Sequence, residues 1–147
     1  MRSSPDQRAL MPNGNYVLAK RHLDMVFTSG MTPRANGILT HTGTFTNDAD
    51  LEGCKEAAEL AASNALAAAR RLLTDKERID GILAMTVFVS ASGDFNQHSR
   101  IADYASNYTF RELGERGIGV RAAVGVASLP EGAIIEIQII ATVAHGC

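Results

Sequence analysis

An arginine and a glutamate stand out near the C-terminal end of this 147-residue chain because their neighbours are small or apolar. Arg121 begins the run 121–129, and Glu136 lies inside the apolar run 133–143. Burying either charge costs free energy unless the charge is paired or binds a ligand. A guanidinium can bind a carboxylate through two hydrogen bonds, and a carboxylate can orient or deprotonate a water molecule. These two residues are therefore the first candidates for a functional site.

The segment that carries both charges is predicted to form two strands joined by a loop. On the first strand, Arg121 shares a face with Ala123 and Gly125, which are small enough to leave room for a ligand. On the second strand, alternate residues from 133 to 143 form an unbroken apolar face, and Glu136 interrupts the opposite one. A hairpin register that pairs positions 121 and 136 is allowed, and it would make the two residues a structural salt bridge. At this level, an ion pair and a ligand site remain alternatives.

Short strands and a long helix are predicted upstream of this segment. Runs of β-compatible residues at 16–20 and 24–29 predict a hairpin, and a loop rich in Gly, Pro and Asn at 28–37 leads to an extended piece at 38–42. From residue 47 to 72, acidic residues in the first turn are followed by apolar residues at every third or fourth position. This pattern predicts a long, alanine-rich, closely packed helix.

A buried strand and a second helix complete the expected order ββ(β)αβαββ. Residues 82–89 are apolar on both faces, as a strand covered on both sides requires. A helix is expected at about 98–113, with Gly114 near its C-terminal cap. Two helices do not cover both faces of such a sheet, so they are placed on one face. Another copy of the chain is expected to cover the other face, which predicts a homo-oligomer.

Composition and charge limit the classes of protein to consider. With 46% hydrophobic residues, the chain is expected to form one compact domain over residues 11–147, preceded by a loose tail at 1–10. The net charge of −2, without a cluster of Lys or Arg, argues against nucleic acid as a partner. No signal peptide is recognisable, and no apolar run approaches the roughly 18 residues of a membrane helix. A cytoplasmic protein without membrane contact is expected.

Cysteine and histidine spacing gives no sign of a disulfide framework or a metal site. Cys54 lies in the helical pattern and is expected in the core, while Cys147 is the last residue. The four histidines are scattered along the chain, so no metal is expected, and His22, His41 and His98 are predicted to be solvated.

Three runs resemble, in order and spacing, those of the RidA/YjgF family. They are residues 14–30, 85–95 and 121–137. The pattern Arg-Xaa-Ala-Val-Gly-Val-Xaa-Xaa-Leu-Pro at 121–130 is most similar to the branch described as YjgF/chorismate-mutase-like or as L-PSP endoribonucleases. The resemblance covers nearly the whole chain. It implies an α+β, chorismate-mutase-like fold with a mixed sheet and two helices on one face, a homotrimer, and ligand pockets in clefts between subunits.

The resemblance also implies roles for individual residues. Arg121 matches the family's carboxylate-binding arginine, and Glu136 matches the glutamate that helps to position water. Tyr16 matches the pocket tyrosine, and Ser29 with Gly30 matches the loop that frames the ligand. The implied activity is that of an enamine/imine deaminase, which hydrolyses small 2-imino acids to 2-oxo acids and ammonia. Because a protonated imine is already electrophilic, this reaction requires a positioned water and no cofactor or metal.

Three positions differ from the family's usual pattern. Met31 stands where the active deaminases usually have Gln, Ala123 stands where many have Cys, and the usual pocket Asn of the second helix is either replaced by Asp103 or displaced. No role is assigned to Asp103. These differences favour a second hypothesis, a non-catalytic trimer that binds small metabolite carboxylates. A third hypothesis, an endoribonuclease, is suggested by the family's label alone, since the chain lacks the basic and aromatic clusters that bind RNA.

Overall fold

The computed structural model describes residues 10–146 as one mixed sheet with two helices on one face. The elements in chain order are strands β1 (Ala19–His22), β2 (Met25–Thr28), β3 (Arg34–Ala35) and β4 (Ile38–Leu39), helix α1 (Lys55–Arg70), strand β5 (Glu77–Ser90), helix α2 (His98–Leu113), and strands β6 (Val120–Val126) and β7 (Ile135–His145). The predicted order of helices and main strands is confirmed. The extended piece after the loop is β4, which forms a separate two-stranded ribbon with β3.

The long strand β5 lies inside the five-stranded sheet, whose order is β1-β2-β7-β5-β6. It pairs with β7 in antiparallel and with β6 in parallel orientation. An inner strand has hydrogen-bonding neighbours on both edges, and the side chains of Val87 and Val89 on the helix-covered face of β5 are fully buried. Strands β1 and β6 form the two free edges of the sheet.

The hairpin that would pair positions 121 and 136 does not form. Strand β5 separates β6 from β7, and the connection 127–134 crosses the end of β5 instead of turning back on β6. There, the Ala91 N–H donates to the Val126 carbonyl and the Ser90 N–H donates to the Ile134 carbonyl, at 3.0 Å each. The physical reason is that β5, with 14 residues and two apolar faces, gains a partner on each edge.

Helix α1 packs closely on the sheet through its alanines. Seven of them, together with Leu66, are exposed by 1% or less: Ala57, Ala58, Ala61, Ala62, Ala65, Ala68 and Ala69. Small side chains let the helix approach the apolar face of β7, where Ile135, Ile137 and Ile139 are equally buried. The predicted close packing of this helix is confirmed, although its regular part begins only at Lys55, after a 3-10 turn at Glu52–Cys54.

The opposite face of the sheet carries large apolar side chains that one chain leaves exposed. Phe27 is 39% exposed, Val124 38% and Val120 72%. These residues lie on β2 and β6, and their strand partners in β7 and β5 include Ile140 and Phe88 on the same face. An apolar surface of this kind is typical of an interface between proteins.

The N-terminal segment lies partly outside the described residues. Of the tail predicted at 1–10, only Leu10 is described, and it is buried. Its carbonyl accepts a hydrogen bond from Arg71 Nη1 at 2.7 Å, so Leu10 belongs to the packed domain. No helix within residues 10–146 is long and apolar enough to cross a membrane.

Candidate functional site

Arg121 lies on the free-edge strand β6 and points toward helix α2. Its Nη1 donates to Asp103 Oδ1 at 2.9 Å and to Ser106 Oγ at 3.0 Å. Its Nη2 donates to Ser99 Oγ at 2.9 Å and to the Ser99 carbonyl at 3.3 Å. The guanidinium is therefore positioned by one stripe of the helix, and its ion-pair partner is Asp103, not Glu136.

The three helix residues that bind Arg121 are spaced to lie on one face of α2. Positions 99, 103 and 106 are separated by four and three residues, which brings their side chains into line along a helix. The pair with Asp103 is partly open to solvent, since 59% of the aspartate side chain and 21% of the arginine side chain are exposed. A small ligand can therefore reach this arginine and compete with the aspartate for it.

His98 occupies the space above Gly125 on the same face of β6 as Arg121. A methyl group added at Gly125 would collide with Nε2 of His98. The imidazole also packs edge-on against Phe95, at 5.1 Å between ring centroids and 68° between planes. Phe95 is buried and stacks on Phe45 at 5.3 Å, so the histidine rests on a fixed aromatic pair. His98 is half-buried, because the glycine on the neighbouring strand leaves room for one side of its ring.

Glu136 lies on the other face of the sheet from Arg121. In the register of the sheet, Arg121 is opposite Met85, whereas Glu136 is opposite Phe88, and side chains three positions apart on one strand point to opposite faces. Met85 is buried under the helices, which identifies the face of Arg121 as the helix-covered one. Within one chain, the two predicted catalytic residues are not brought together.

The Glu136 side chain packs over the backbone of Gly30. A methyl group at Gly30 would lie 2.6 Å from both Cδ and Oε2 of Glu136, so a glycine is needed for this approach. Burial raises the pKa of the Glu136 carboxyl above its usual value. A carboxylate with a raised pKa binds a proton more readily, which suits a group that accepts one from water.

Tyr16 and Gly30 line one small cavity of about 40 Å³, together with Met11, Leu18, Thr32 and Asn64 among others. The Tyr16 hydroxyl accepts a hydrogen bond from the Asn13 N–H at 3.1 Å, and the tyrosine is 47% exposed. The cavity has room for water molecules and is too small for a metabolite. Gly30 lines this cavity with Tyr16 and also packs against Glu136, which does not line the cavity.

Ser29 and Met31 flank Gly30 and serve mainly to fix its position. Ser29 Oγ donates to the Val17 carbonyl at 2.6 Å, so its hydroxyl proton is used within the fold. Met31 exchanges two backbone hydrogen bonds with Ile137, at 2.7 and 2.8 Å, and is itself buried. The loop is thereby held to the segment that precedes β1 and to β7.

The amino-acid sequence and the structure are similar to those of known proteins over almost the full length. The family described as Endoribonuclease L-PSP matches residues 6–143. The chain belongs to this family, which is the YjgF/RidA family. The α+β, chorismate-mutase-like fold implied by the resemblance is confirmed.

Three solved structures show how far the similarity extends. Protein Atu1372 from Agrobacterium tumefaciens, of unknown function, is 34% identical with a TM-score of 0.80, over 91% of this chain and 86% of that one. TdcF from E. coli, solved with bound serine, is 30% identical with a TM-score of 0.66, over 92% and 94%. The YjgF gene product from E. coli is 27% identical with a TM-score of 0.64, over 92% and 94%.

Sequence reasoning singled out Asp103 without assigning it a role, and it missed Ser99 and Ser106, the other helix residues that bind Arg121. The spacing of Ser99, Asp103 and Ser106 could have indicated a polar stripe on α2 facing the strand that follows. The small residues Ala123 and Gly125 were recognised as leaving room beside the arginine, and His98 is the side chain that fills part of it.

Proposed function

We propose that this YjgF/RidA-family chain forms a homotrimer that hydrolyses small 2-imino acids to 2-oxo acids and ammonia in clefts between subunits. The observation that carries the proposal is the position of Arg121. It lies on a free-edge strand, beside the small residues Ala123 and Gly125, and is reachable from solvent. A guanidinium in such a place can bind the carboxylate of a metabolite.

The separation of the candidate residues supports a site shared by two copies. Arg121 lies on the β6 edge of the sheet, and Tyr16 lies three residues before β1, which forms the opposite edge. An arrangement that places the β1 side of one copy near the β6 edge of the next uses different surfaces on each copy, and contacts of this type close into rings. Such a ring would add Tyr16, Gly30 and Glu136 of one copy to Arg121 of its neighbour. It would also cover the apolar sheet face.

The chemistry required is modest. The carboxylate of the imino acid binds Arg121, which fixes the position of the adjacent C=N carbon. Glu136 orients the attacking water and accepts a proton, which its raised pKa favours. The bound serine in TdcF, a protein 30% identical, supports a site of a size that suits small amino-acid-like molecules.

A second candidate function is binding of metabolite carboxylates without catalysis. Asp103 favours it, because this residue occupies one side of the guanidinium at 2.9 Å and brings a negative charge to the site. The name of the family suggests a third activity, cleavage of RNA. The net charge of −2 gives no support to phosphate binding.

Release of ammonia from an enzymatically generated 2-imino acid, measured above its spontaneous hydrolysis, tests the proposal. The wild type should accelerate the reaction. Arg121→Ala should lose both the acceleration and the thermal stabilisation by 2-oxo acids, because ligand that binds only the folded state raises its stability. Arg100→Ala is the matched control, since Arg100 lies on α2 close to the site and its guanidinium donates to Gln97 Oε1 at 2.7 Å, not to a residue that binds Arg121. Binding without acceleration would select the second candidate.

The role of Glu136 and the assembly need separate measurements. Glu136→Gln should slow ammonia release about 10²-fold or more and leave carboxylate binding intact. Glu115→Gln, an exposed change of the same type, should have no effect. Light scattering at micromolar concentration should give the mass of a trimer, and a stable monomer would reject the shared site.

A further inference from the structure

We infer that His98 is a further catalytic residue of this site, which transfers a proton between the attacking water and the leaving nitrogen; the inference rests on the function proposed above. The imidazole of His98 and the guanidinium of Arg121 both lie at the N-terminal turn of α2. His98 is the first residue of α2, and the next residue, Ser99, accepts hydrogen bonds from Arg121. The two functional groups therefore flank one region above Ala123.

The strand beneath them supplies the room for a ligand between the two groups. Arg121, Ala123 and Gly125 point to the same face of β6, and successive residues on one face lie about 6.6 Å apart. Ala123 contributes a single methyl group, and Gly125 contributes none, so the surface between guanidinium and imidazole is flat and low. A small carboxylate bound at Arg121 would have room for its 2-carbon above Ala123, on the side of His98.

The imidazole is fixed in position and chemically available. Packing against Phe95 and against the backbone of Gly125 restricts the ring. Within residues 10–146, neither ring nitrogen of His98 forms a hydrogen bond, and the side chain is half-buried. No side-chain nitrogen or oxygen within residues 10–146 is buried without a partner, so the unbonded imidazole nitrogens are open to solvent. A rigid imidazole with both nitrogens unused is suited to exchange protons with a ligand.

The position of Glu136 makes a second proton-transferring group useful. Glu136 lies on the opposite face of its own sheet, so it reaches Arg121 only from a neighbouring copy. His98 instead belongs to the same chain as Arg121 and keeps a constant geometry to it. The carboxylate and the imidazole can then act on different sides of the substrate.

The proposed step conserves atoms and electrons without any oxidant or reductant. Water attacks the C=N carbon of the iminium, a C–O bond forms, and the π electron pair moves to nitrogen. His98 takes one proton from the attacking water and passes it to that nitrogen. The C–N bond then breaks as the hydroxyl O–H pair forms the C=O bond. The hydroxyl proton leaves through Glu136 to the ammonia, which departs as ammonium.

Two substitutions test the role of His98 in complementary ways. His98→Asn removes the acid-base group at similar size, and it should lower the rate at saturating imino acid about 10²-fold or more with little change in KM. Gly125→Ala keeps the imidazole and displaces it, because the added methyl group collides with Nε2. This variant should also be slower, by at least about 10-fold. Gly93→Ala is the control, since a methyl group there meets no atom within 4 Å.

A binding measurement tests the same assignment without catalysis. With histidine labelled for NMR, saturating pyruvate should shift the imidazole signals of His98, identified by their loss in His98→Asn, and leave those of His22 unchanged. Unmoved His98 signals while pyruvate binds through Arg121 would overturn the inference. Full activity in both His98→Asn and Gly125→Ala would overturn it as well. If no 2-oxo acid binds the wild type, the proposed function and this inference fall together.

Discussion

Replacement of Asp103 by asparagine should strengthen the binding of 2-oxo acids. In the free chain, Asp103 Oδ1 accepts a hydrogen bond from Arg121 Nη1 at 2.9 Å, so the aspartate and an incoming carboxylate compete for the same cation. Asparagine keeps the shape and an acceptor oxygen, while it removes the negative charge. Ser99 and Ser106 still position the guanidinium in the variant.

The size of the effect follows from the exposure of the pair. With 59% of the Asp103 side chain exposed, the ion pair contributes only about 0.2–1 kcal/mol, which the ligand no longer has to overcome. Repulsion between Asp103 and a ligand carboxylate about 4 Å away adds about 1 kcal/mol in a water-like environment. The sum of about 1–2 kcal/mol corresponds to a Kd lower by about 5- to 30-fold.

Isothermal titration with pyruvate at low and high salt measures this difference. The advantage of Asp103→Asn should shrink as salt rises, because screening weakens both electrostatic contributions. Asp94→Asn is the matched control: Asp94 is exposed, and it forms no ion pair with any described residue. An unchanged Kd in Asp103→Asn, or an equal gain in Asp94→Asn, would refute competition at the guanidinium.

Three further predictions concern stability and the loop beside Glu136. Arg21 holds the pKa of Glu77 at about 2, against 4.5 in the unfolded chain. The ionised Glu77 therefore stabilises the fold fully above pH 4.5 and loses this contribution as the pH falls toward 2. In urea titrations, the free energy of unfolding of Glu77→Gln should depend less on pH in this window than that of the wild type. Ala61→Leu should lower the free energy of unfolding by about 1–3 kcal/mol, because this fully buried site has no room. Gly30→Ala should slow ammonia release and preserve pyruvate binding, since its methyl group displaces the Glu136 carboxylate.

The helices and the first hairpin could be predicted because their signals are local. The second helix begins at His98 and ends at Leu113, as the sequence indicated, and Gly114 caps it with a positive φ. The hairpin of β1 and β2 is also confirmed, although its turn lies at Leu23 and Asp24, whereas the predicted strands left residues 21–23 between them. Periodicity and turn residues suffice for such elements.

The pairing of the last two strands could not be predicted in the same way. A connection of eight residues between β6 and β7 is compatible with a hairpin and with a crossing over β5. Whether the connection forms a hairpin or crosses β5 depends on which strands pair with the two edges of β5, and this is decided by the whole sheet. The apolar pattern of β5 indicated burial on both faces, without indicating its neighbours.

The environment of the candidate site was partly predictable. Arg121 and Ala123 share a face, as the alternation of the strand predicted. The arginine also forms an ion pair, which was one of the two alternatives, beside a ligand site, that the sequence left open. The partner is Asp103, because the helix that follows β5 returns over β6. The contact between His98 and Gly125 joins positions 27 residues apart, and no local pattern reports such a contact.

The placement of Arg121 and Glu136 on opposite sheet faces has a consequence for mixed populations of chains. If each cleft combines the arginine of one copy with the glutamate of the next, Arg121→Ala and Glu136→Gln chains are each inactive alone. Refolded together in equal amounts, they would assemble at random, and about a quarter of the clefts would contain both intact residues. Two inactive variants would thus restore activity by complementation. A site built within one chain would instead remain inactive in every mixture of the two variants.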